Sequence, residues 1–422
     1  MQGTSDLRSR KLSEDNECYG VILYNSSVPN EVNRVIFQRL ITLGSEFPII
    51  LLTESQFTYP EEIKEKVMIR KLPLDFSRIP FIGKLLSKML FKVWALYNIL
   101  FTEYGKKTFV HTFALPPNHT IGFMASIFKR YIWILEMMHS PYYYLDFGRM
   151  KKNYLLLLRG LLDIAISKIT LKKADLILAT SHTVKDGCAK VLKNDFGVPE
   201  EKIYPIQQGV STKNVCRTVN NDTSKYFKIV YVGGISEAKC DELLGSIDKL
   251  ERLIPKLKVF LIGSVSKSFD KEFGKILRQK SAILNHLGKL SHEEALDCIR
   301  KADLCICTLD SRIRDYNFGQ PVKILEYLAL GKPVIASNLE GIRGIITHGY
   351  NGLLYEPGNV DSFVSAVLEV ASNHLLRKKL SINARKSVER FDWKFLNSKV
   401  MKAIKDRLFC KVAGNTVRNL GQ

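Results

Sequence analysis

No stretch of this chain approaches the ~18 uninterrupted apolar residues of a membrane-spanning helix. The apolar run at Leu155 to Leu162 is broken by Arg159. None of the eight cysteines forms Cys-x-x-Cys. There is no zinc-finger spacing and no RNA-recognition signature, and Asp-x-Asp does not occur. These absences argue against a membrane-spanning protein and a zinc module, and they rank nucleic acid last among partners, so none is expected. Acid is also scarce: 42 Asp and Glu face 63 Lys and Arg, for a net charge of +21. Such a balance favours an anionic partner, either a membrane surface or a phosphorylated ligand. Met1 to Glu17 is polar and charged, unlike a signal peptide or anchor, and predicts a disordered segment over 1–17. Cys305 and Cys307 alternate within an apolar run and share a strand face, which reads as reduced core thiols in a cytoplasmic protein.

A length of 422 residues suggests two or three domains. Tyr19–Tyr24 is a buried-strand pattern, Asn33–Leu43 has helical spacing, and Pro48–Thr53 is the next strand. Strand, helix, strand opens a doubly wound parallel α/β sheet. Lys107–His111 and Ile132–His139 read as further strands ending in histidine, Ala174–Ser181 as another. Ligands of open α/β sheets gather at the carboxyl ends of strands, which makes His111 and His139 candidates, although most strand-end histidines are structural. Lys213–Lys225 is polar and rich in Asn and Thr, as a hinge would be. A second set of strands follows: Phe227–Gly234, Lys258–Gly263, Ala302–Thr308 and Pro333–Ala336. The boundaries that result are 1–17, a first Rossmann-like domain over 18–212, a linker over 213–225, a second over 226–389, and a final helix and tail over 390–422. At Gly233-Gly234 the missing side chains let backbone approach a phosphate, with Lys239 following.

The most informative stretch is 318–337, Phe-Gly-Gln-Pro-Val-Lys-Ile-Leu-Glu-Tyr-Leu-Ala-Leu-Gly-Lys-Pro-Val-Ile-Ala-Ser. Pro321 suits the first helical position, Gly331 the stop, and Pro333 prevents continuation. Ile324, Leu325 and Leu328 share one face. Lys323 and Glu326 fall opposite, three residues apart, where the plainest reading is a solvated ion pair.

This stretch resembles the donor-binding segment of glycosyltransferase family 4, whose members have the GT-B fold of two Rossmann-like domains facing across a cleft. That family carries Glu-x7-Glu and then Ala-x-Gly-x-Pro-Val; Glu326 matches the second Glu and Ala329–Val334 the tail. The resemblance extends over roughly Tyr19 to Leu408, and its Gly-x-Asn-Gly hairpin matches Gly349–Gly352. It implies a retaining, metal-independent transferase that moves a sugar from a nucleotide diphosphate to an acceptor hydroxyl and has no cofactor. Glu326 would accept the ribose hydroxyls. Gly233, Gly234, Lys239 and Lys323 would hold the diphosphate, with backbone N–H groups of Gly319, Gln320 and Val322. His139 would contact the donor sugar, and His139, Lys239 and Lys323 are the catalytic candidates. Asn285–Glu294 would lie over the nucleotide base.

Three departures stand out. Phe318 occupies the position of the first Glu, with Asp315 as a nearby substitute. The first loop, Pro29–Arg34, lacks the family's glycines. Gln208 and Ser211 replace the usual polar flanks of Gly209, and both Ser181 and Gly209 can equally be structural. These departures keep open a non-catalytic GT-B subunit that binds lipid or a partner, and an epimerase or hydrolase on the same fold. Finally, Ile79–Leu100 places Lys84, Lys88 and Lys92 on one stripe opposite Ile82, Leu85, Leu86, Met89, Leu90, Val93, Leu96 and Tyr97. That is the pattern of a helix lying on the inner face of an anionic membrane, useful for a lipid-linked acceptor, and equally of a helix packed on a sheet.

Overall fold

The structure is a computed structural model, and it describes residues 18–24, 34–53, 61–73, 83–102, 104, 107–113, 116–212 and 225–419. The segment 1–17, residues 29–33 of the first loop, 79–82 of the amphipathic stretch and most of the hinge lie outside the described residues. The chain divides into two compact units. The first holds residues up to Ala179, Cys188–Ile206 and everything from Asn397; the second holds Thr180–Gly187 and Gln207–Leu396.

The first unit is built on β1 (Cys18–Tyr24), β2 (Ile49–Thr53), β3 (Val67–Lys71), β4 (Lys107–Phe113), β5 (Ile132–Met137), β6 (Leu176–Thr180) and β7 (Ile203–Ile206). They form one sheet in the order β3-β2-β1-β4-β5-β6-β7, with parallel pairing. Every residue of β2, β5 and β6 is buried, because helices cover both faces of such a sheet. On one face, Leu40 and Leu43 pack with Val400, Ile404 and Leu408 of the final helix, Trp393–Asn419. On the other, Phe91, Ala95 and Ile99 of the helix Gly83–Phe101 meet Val21, Leu23 and Val110.

The second unit has β8 (Phe227–Val232), β9 (Leu257–Ile262), β10 (Leu284–His286), β11 (Leu304–Cys307), β12 (Val334–Ser337) and β13 (Leu353–Tyr355), in the order β10-β9-β8-β11-β12-β13. Each neighbouring pair in it is parallel. In both sheets the order reverses beside the first strand, at β1/β4 and at β8/β11. That switch point is where an open α/β sheet leaves a crevice.

Several strand ends differ from the sequence reading. β4 runs on to Phe113, so His111 lies inside the strand, fully buried and 3.3 Å from the Glu136 carboxylate. β5 stops at Met137, two residues before His139. Ser181, just past the end of β6, is buried. The Gly-x-Asn-Gly segment is not an antiparallel hairpin. Its positive φ falls on Gly349 (74°), and Asn351 is buried, with its side chain bonded to Thr347 N, Ile345 O and Ser387 Oγ.

Candidate functional site

The helix of the informative stretch runs Val322–Ala329, with Pro321 as its N-cap, one position earlier in the helix than its sequence suggested. Gly331 takes φ of 67°, and Lys332 N donates to Tyr327 O, closing a Schellman turn. Ile324, Leu325, Tyr327 and Leu328 are fully buried. That burial fixes the rotation of the helix and turns Lys323 and Glu326 toward the carboxyl end of β8.

Lys323 and Glu326 do not form the solvated pair that their spacing suggested. Lys323 Nζ lies 4.1 Å from the centre of the Tyr231 ring. A Cβ on Gly233 would come 2.4 Å from that nitrogen, and Gly233 has φ of 137°, so glycine is needed there for space and for backbone shape. Burial pulls the Lys323 pKa below its ordinary value, against the opposing influence of Cys307, Cys240 and Glu326. Among the described residues no carboxylate forms a salt bridge with it.

Two tyrosines brace this strand end. Tyr231 Oη donates to Gly234 O at 2.9 Å, and Val232 N donates to Tyr327 Oη at 2.9 Å. The neighbouring strand ends in Gly263, which lies so close that a Cβ on it would meet Gly233 O at 1.9 Å. Lys239, in the first turns of the helix Glu237–Gly245, has its ammonium 5.6 Å from the Tyr316 ring. Gly233, Gly234, Lys239 and Lys323 are therefore brought together around the end of β8.

Glu326 is 15% exposed, and its Oε1 sits 2.9 Å from His292 Nε2. The sequence reading did not single out His292. It opens the helix His292–Arg300 directly after a capping box made by Ser291 and Glu294, so its backbone is well fixed. Gln320 is buried; its Oε1 accepts from Gln208 N at 2.9 Å and its Nε2 lies 3.4 Å from His182 Nε2. Its side chain thus anchors a loop. Gly319 precedes Gln320, and its carbonyl, with that of Phe318, abuts Gly341 so closely that a Cβ on Gly341 would stand 2.3 Å away. Gly209 packs against the Trp393 ring, where a Cβ would come within 2.7 Å. His139, in the first unit, is exposed and stacks on Tyr143 with ring centres 4.3 Å apart.

Residues 214–387 match the model of the family Glycosyl transferases group 1. An uncharacterized glycosyltransferase of Methanocaldococcus jannaschii is 24% identical over 246 residues, 55% of this chain and 58% of that protein. The phosphatidyl-myo-inositol mannosyltransferase of Mycolicibacterium smegmatis is 24% identical over 161 residues, 38% of this chain and 39% of its own length. The chain therefore spans less than two thirds of these relatives. The crystal structure of Anabaena Alr3699/HepE in complex with UDP superposes with a TM-score of 0.66 over 93% of this chain and 100% of that one, at 16% identity. That likeness establishes the GT-B fold. Within the matched segment, Phe318 is 5% exposed and belongs to the packed interior, while Asp315 is a buried carboxylate on the short helix Arg314–Phe318.

Proposed function

We propose that the protein transfers a sugar from a nucleotide-diphosphate sugar to an acceptor hydroxyl, with retention and without a divalent metal. The observation that carries this is Lys323: a desolvated ammonium beside Gly233 at the sheet's switch point, with no carboxylate of the described chain bridging it. A half-sheltered cation with no bridging carboxylate among the described residues fits an anion supplied by a ligand. As the glycosidic bond breaks, charge grows on the leaving diphosphate. Lys323, Lys239 and the Gly233–Gly234 backbone would stabilise it there, and Glu326, steadied by His292, would take the ribose hydroxyls. His139 is the sugar-contacting candidate. The UDP named with the HepE structure supports a nucleoside-diphosphate donor. The name of the mycobacterial mannosyltransferase supports a lipid-borne acceptor.

One observation favours a second reading. Phe318 fills, with a packed side chain, the place where the family has a carboxylate near the transferred sugar. A subunit that binds the donor without transferring from it would look the same. Release of nucleoside diphosphate that depends on acceptor separates transfer from binding alone, and also from hydrolysis or epimerisation. Binding itself is tested by thermal shift with UDP, GDP and ADP, since a ligand of the native state raises the melting temperature. Replacing Glu326 with Ala should weaken donor binding by roughly tenfold to a hundredfold, the cost of losing a charged hydrogen-bond partner. If none of the three nucleotides shifts the melting temperature, the donor site is not where we place it.

A further inference from the structure

The helix Tyr154–Thr170 is inside out. The residues it buries are Gly160, Asp163, Ser167 and Thr170. Those it exposes include Tyr154 and Leu155, at 85% and 80%, with Leu158, Leu161, Leu162 and Ile169. A helix on a protein facing only water turns its apolar stripe inward. Here the orientation is fixed by packing. A Cβ on Gly160 would meet Leu145 N at 2.4 Å, and one on Gly148 would meet Leu157 N at 2.7 Å, so the helices Tyr143–Met150 and Tyr154–Thr170 touch through glycine. Asp163 also faces inward, near Arg159 of the same helix (3.9 Å) and under the influence of Lys92 from the helix Gly83–Phe101. Rolling the leucines inward would break both contacts.

The helix Gly83–Phe101 lies close by, near enough for its Lys92 to feel Arg159 and Asp163, and it too exposes apolar side chains. Its exposed stripe is Met89, Val93, Tyr97 and Phe101, four residues apart each time. Its buried stripe is Phe91, Ala95 and Ile99, and Lys88 and Lys92 lie between, partly buried. The amphipathic pattern read from sequence thus divides: part of the apolar side packs on the sheet and part remains in water. Ile127 and Phe128, at the end of the helix Pro116–Phe128, add to it. Contiguous exposed apolar surface of this kind marks a docking site.

We propose that this face seats the first unit on an anionic lipid bilayer, with the leucines of Tyr154–Thr170 in the headgroup region. Charge selects the occupant. The segment 143–173 carries seven basic residues, including Lys151, Lys152, Arg159 and Lys168, against two acidic ones, and the segment 83–101 carries three lysines and no acid. Leucine and aromatic residues rimmed by lysine suit an anionic interface. Lysine is depleted at protein interfaces, and a second copy would bring the same positive charge to the same face. Among the described residues no helix is long and apolar enough to cross a membrane, so the contact is peripheral. The inference deepens the lipid-borne acceptor in the reading above and rests on it only for its purpose; binding to vesicles and binding of nucleotide fail separately.

The test is co-sedimentation with phosphatidylcholine vesicles, with and without phosphatidylglycerol, at low and high salt. The full chain should pellet with the anionic vesicles and less so as salt rises. The triple variant Leu155→Asp, Leu158→Asp, Leu162→Asp should lose more than about tenfold in partitioning, since it removes inserted side chains and adds repulsion. Its thermal shift with nucleotide should match that of the parent, which shows that the fold and donor site survive. A second variant, Lys151→Glu with Lys152→Glu, tests the charge without touching the apolar residues and should weaken binding to the anionic vesicles alone. The proposal is overturned if the parent stays in the supernatant at low salt. It is equally overturned if the triple variant instead converts a dimer to a monomer in sedimentation velocity while the parent ignores vesicles.

Discussion

Two cations, one in each unit, have opposite surroundings: Arg39 is fully buried and Lys323 is partly buried. Arg39 is 1% exposed; its Nε donates to Glu136 Oε2 at 3.1 Å, its Nη2 to Glu136 Oε1 at 3.3 Å, and its Nη1 to Asn397 Oδ1 at 2.5 Å. Burial would raise the Glu136 carboxyl, but Arg39 and His111 outweigh it and hold its pKa below the ordinary value. Lys323 has glycine and an aromatic ring beside it, no bridging carboxylate among the described residues, and a pKa drawn down by burial. A buried charge that is fully paired belongs to the fold. One that the fold leaves uncompensated belongs to a ligand.

The comparison predicts different losses. Arg39→Met leaves Glu136 buried without its partner and should cost about 3–5 kcal/mol of stability, read as a fall in the urea midpoint. The pair also sets an acid limit. Because the folded-state pKa of Glu136 is lowered, its contribution is complete above the ordinary value of 4.5 and disappears as pH falls through the lower folded value. The parent should therefore lose stability below that pH, and Arg39→Met should show a shallower loss. Lys323→Met should do the reverse. Removing a partly buried charge that no carboxylate bridges should leave the urea midpoint level or higher, while nucleotide affinity drops by about 1.5–3 kcal/mol, the worth of a charged hydrogen bond. Equal destabilisation by both variants, with nucleotide binding untouched in the second, would erase the distinction.

What could be read in advance follows from how local the cause is. Gly331, Pro321 and Pro333 punctuate one helix within a dozen residues, so its limits were visible to within a position. Cys305 and Cys307 alternate on one strand, and both are fully buried. Contacts between distant residues left no such trace. Arg39 and Glu136 are 97 positions apart, and His292 and Glu326 are 34 apart. Nothing in periodicity pairs them. β10 and β13, three residues each, are too short to show an alternation. The helix Tyr154–Thr170 is apolar on most sides, so its pattern could not say which side faces in. That was decided by Gly160 against Leu145, a contact between two helices. Strand ends were misjudged for a related reason: β4 gains Thr112 and Phe113 through pairing with β5, at Thr112–Leu135 and Phe113–Glu136.

The smallest expected effect concerns His292, and it sharpens the contrast by asking what a partner does for an acceptor. Glu326 is paired through one oxygen, Oε1, to His292 Nε2. The histidine cannot contribute to a core, since its side chain is 27% exposed. Its backbone is already held by the Ser291–Glu294 capping box, so the imidazole can be changed without unwinding the helix. What the ring can do is restrict the Glu326 rotamer, so that the second oxygen meets a ribose hydroxyl without first losing side-chain entropy. Open to solvent on the histidine side, such a hydrogen bond is worth about 0.5–1.5 kcal/mol. His292→Ala should therefore weaken nucleoside-diphosphate binding by roughly threefold to tenfold, leave the urea midpoint near that of the parent, and have almost no added effect on a Glu326→Ala background. Gln, which can donate from a similar reach, should restore part of the loss. The measurement is isothermal titration with UDP across this double-mutant cycle. Additive losses would show that His292 contacts the nucleotide itself, and a silent His292→Ala would show that Glu326 needs no orienting partner.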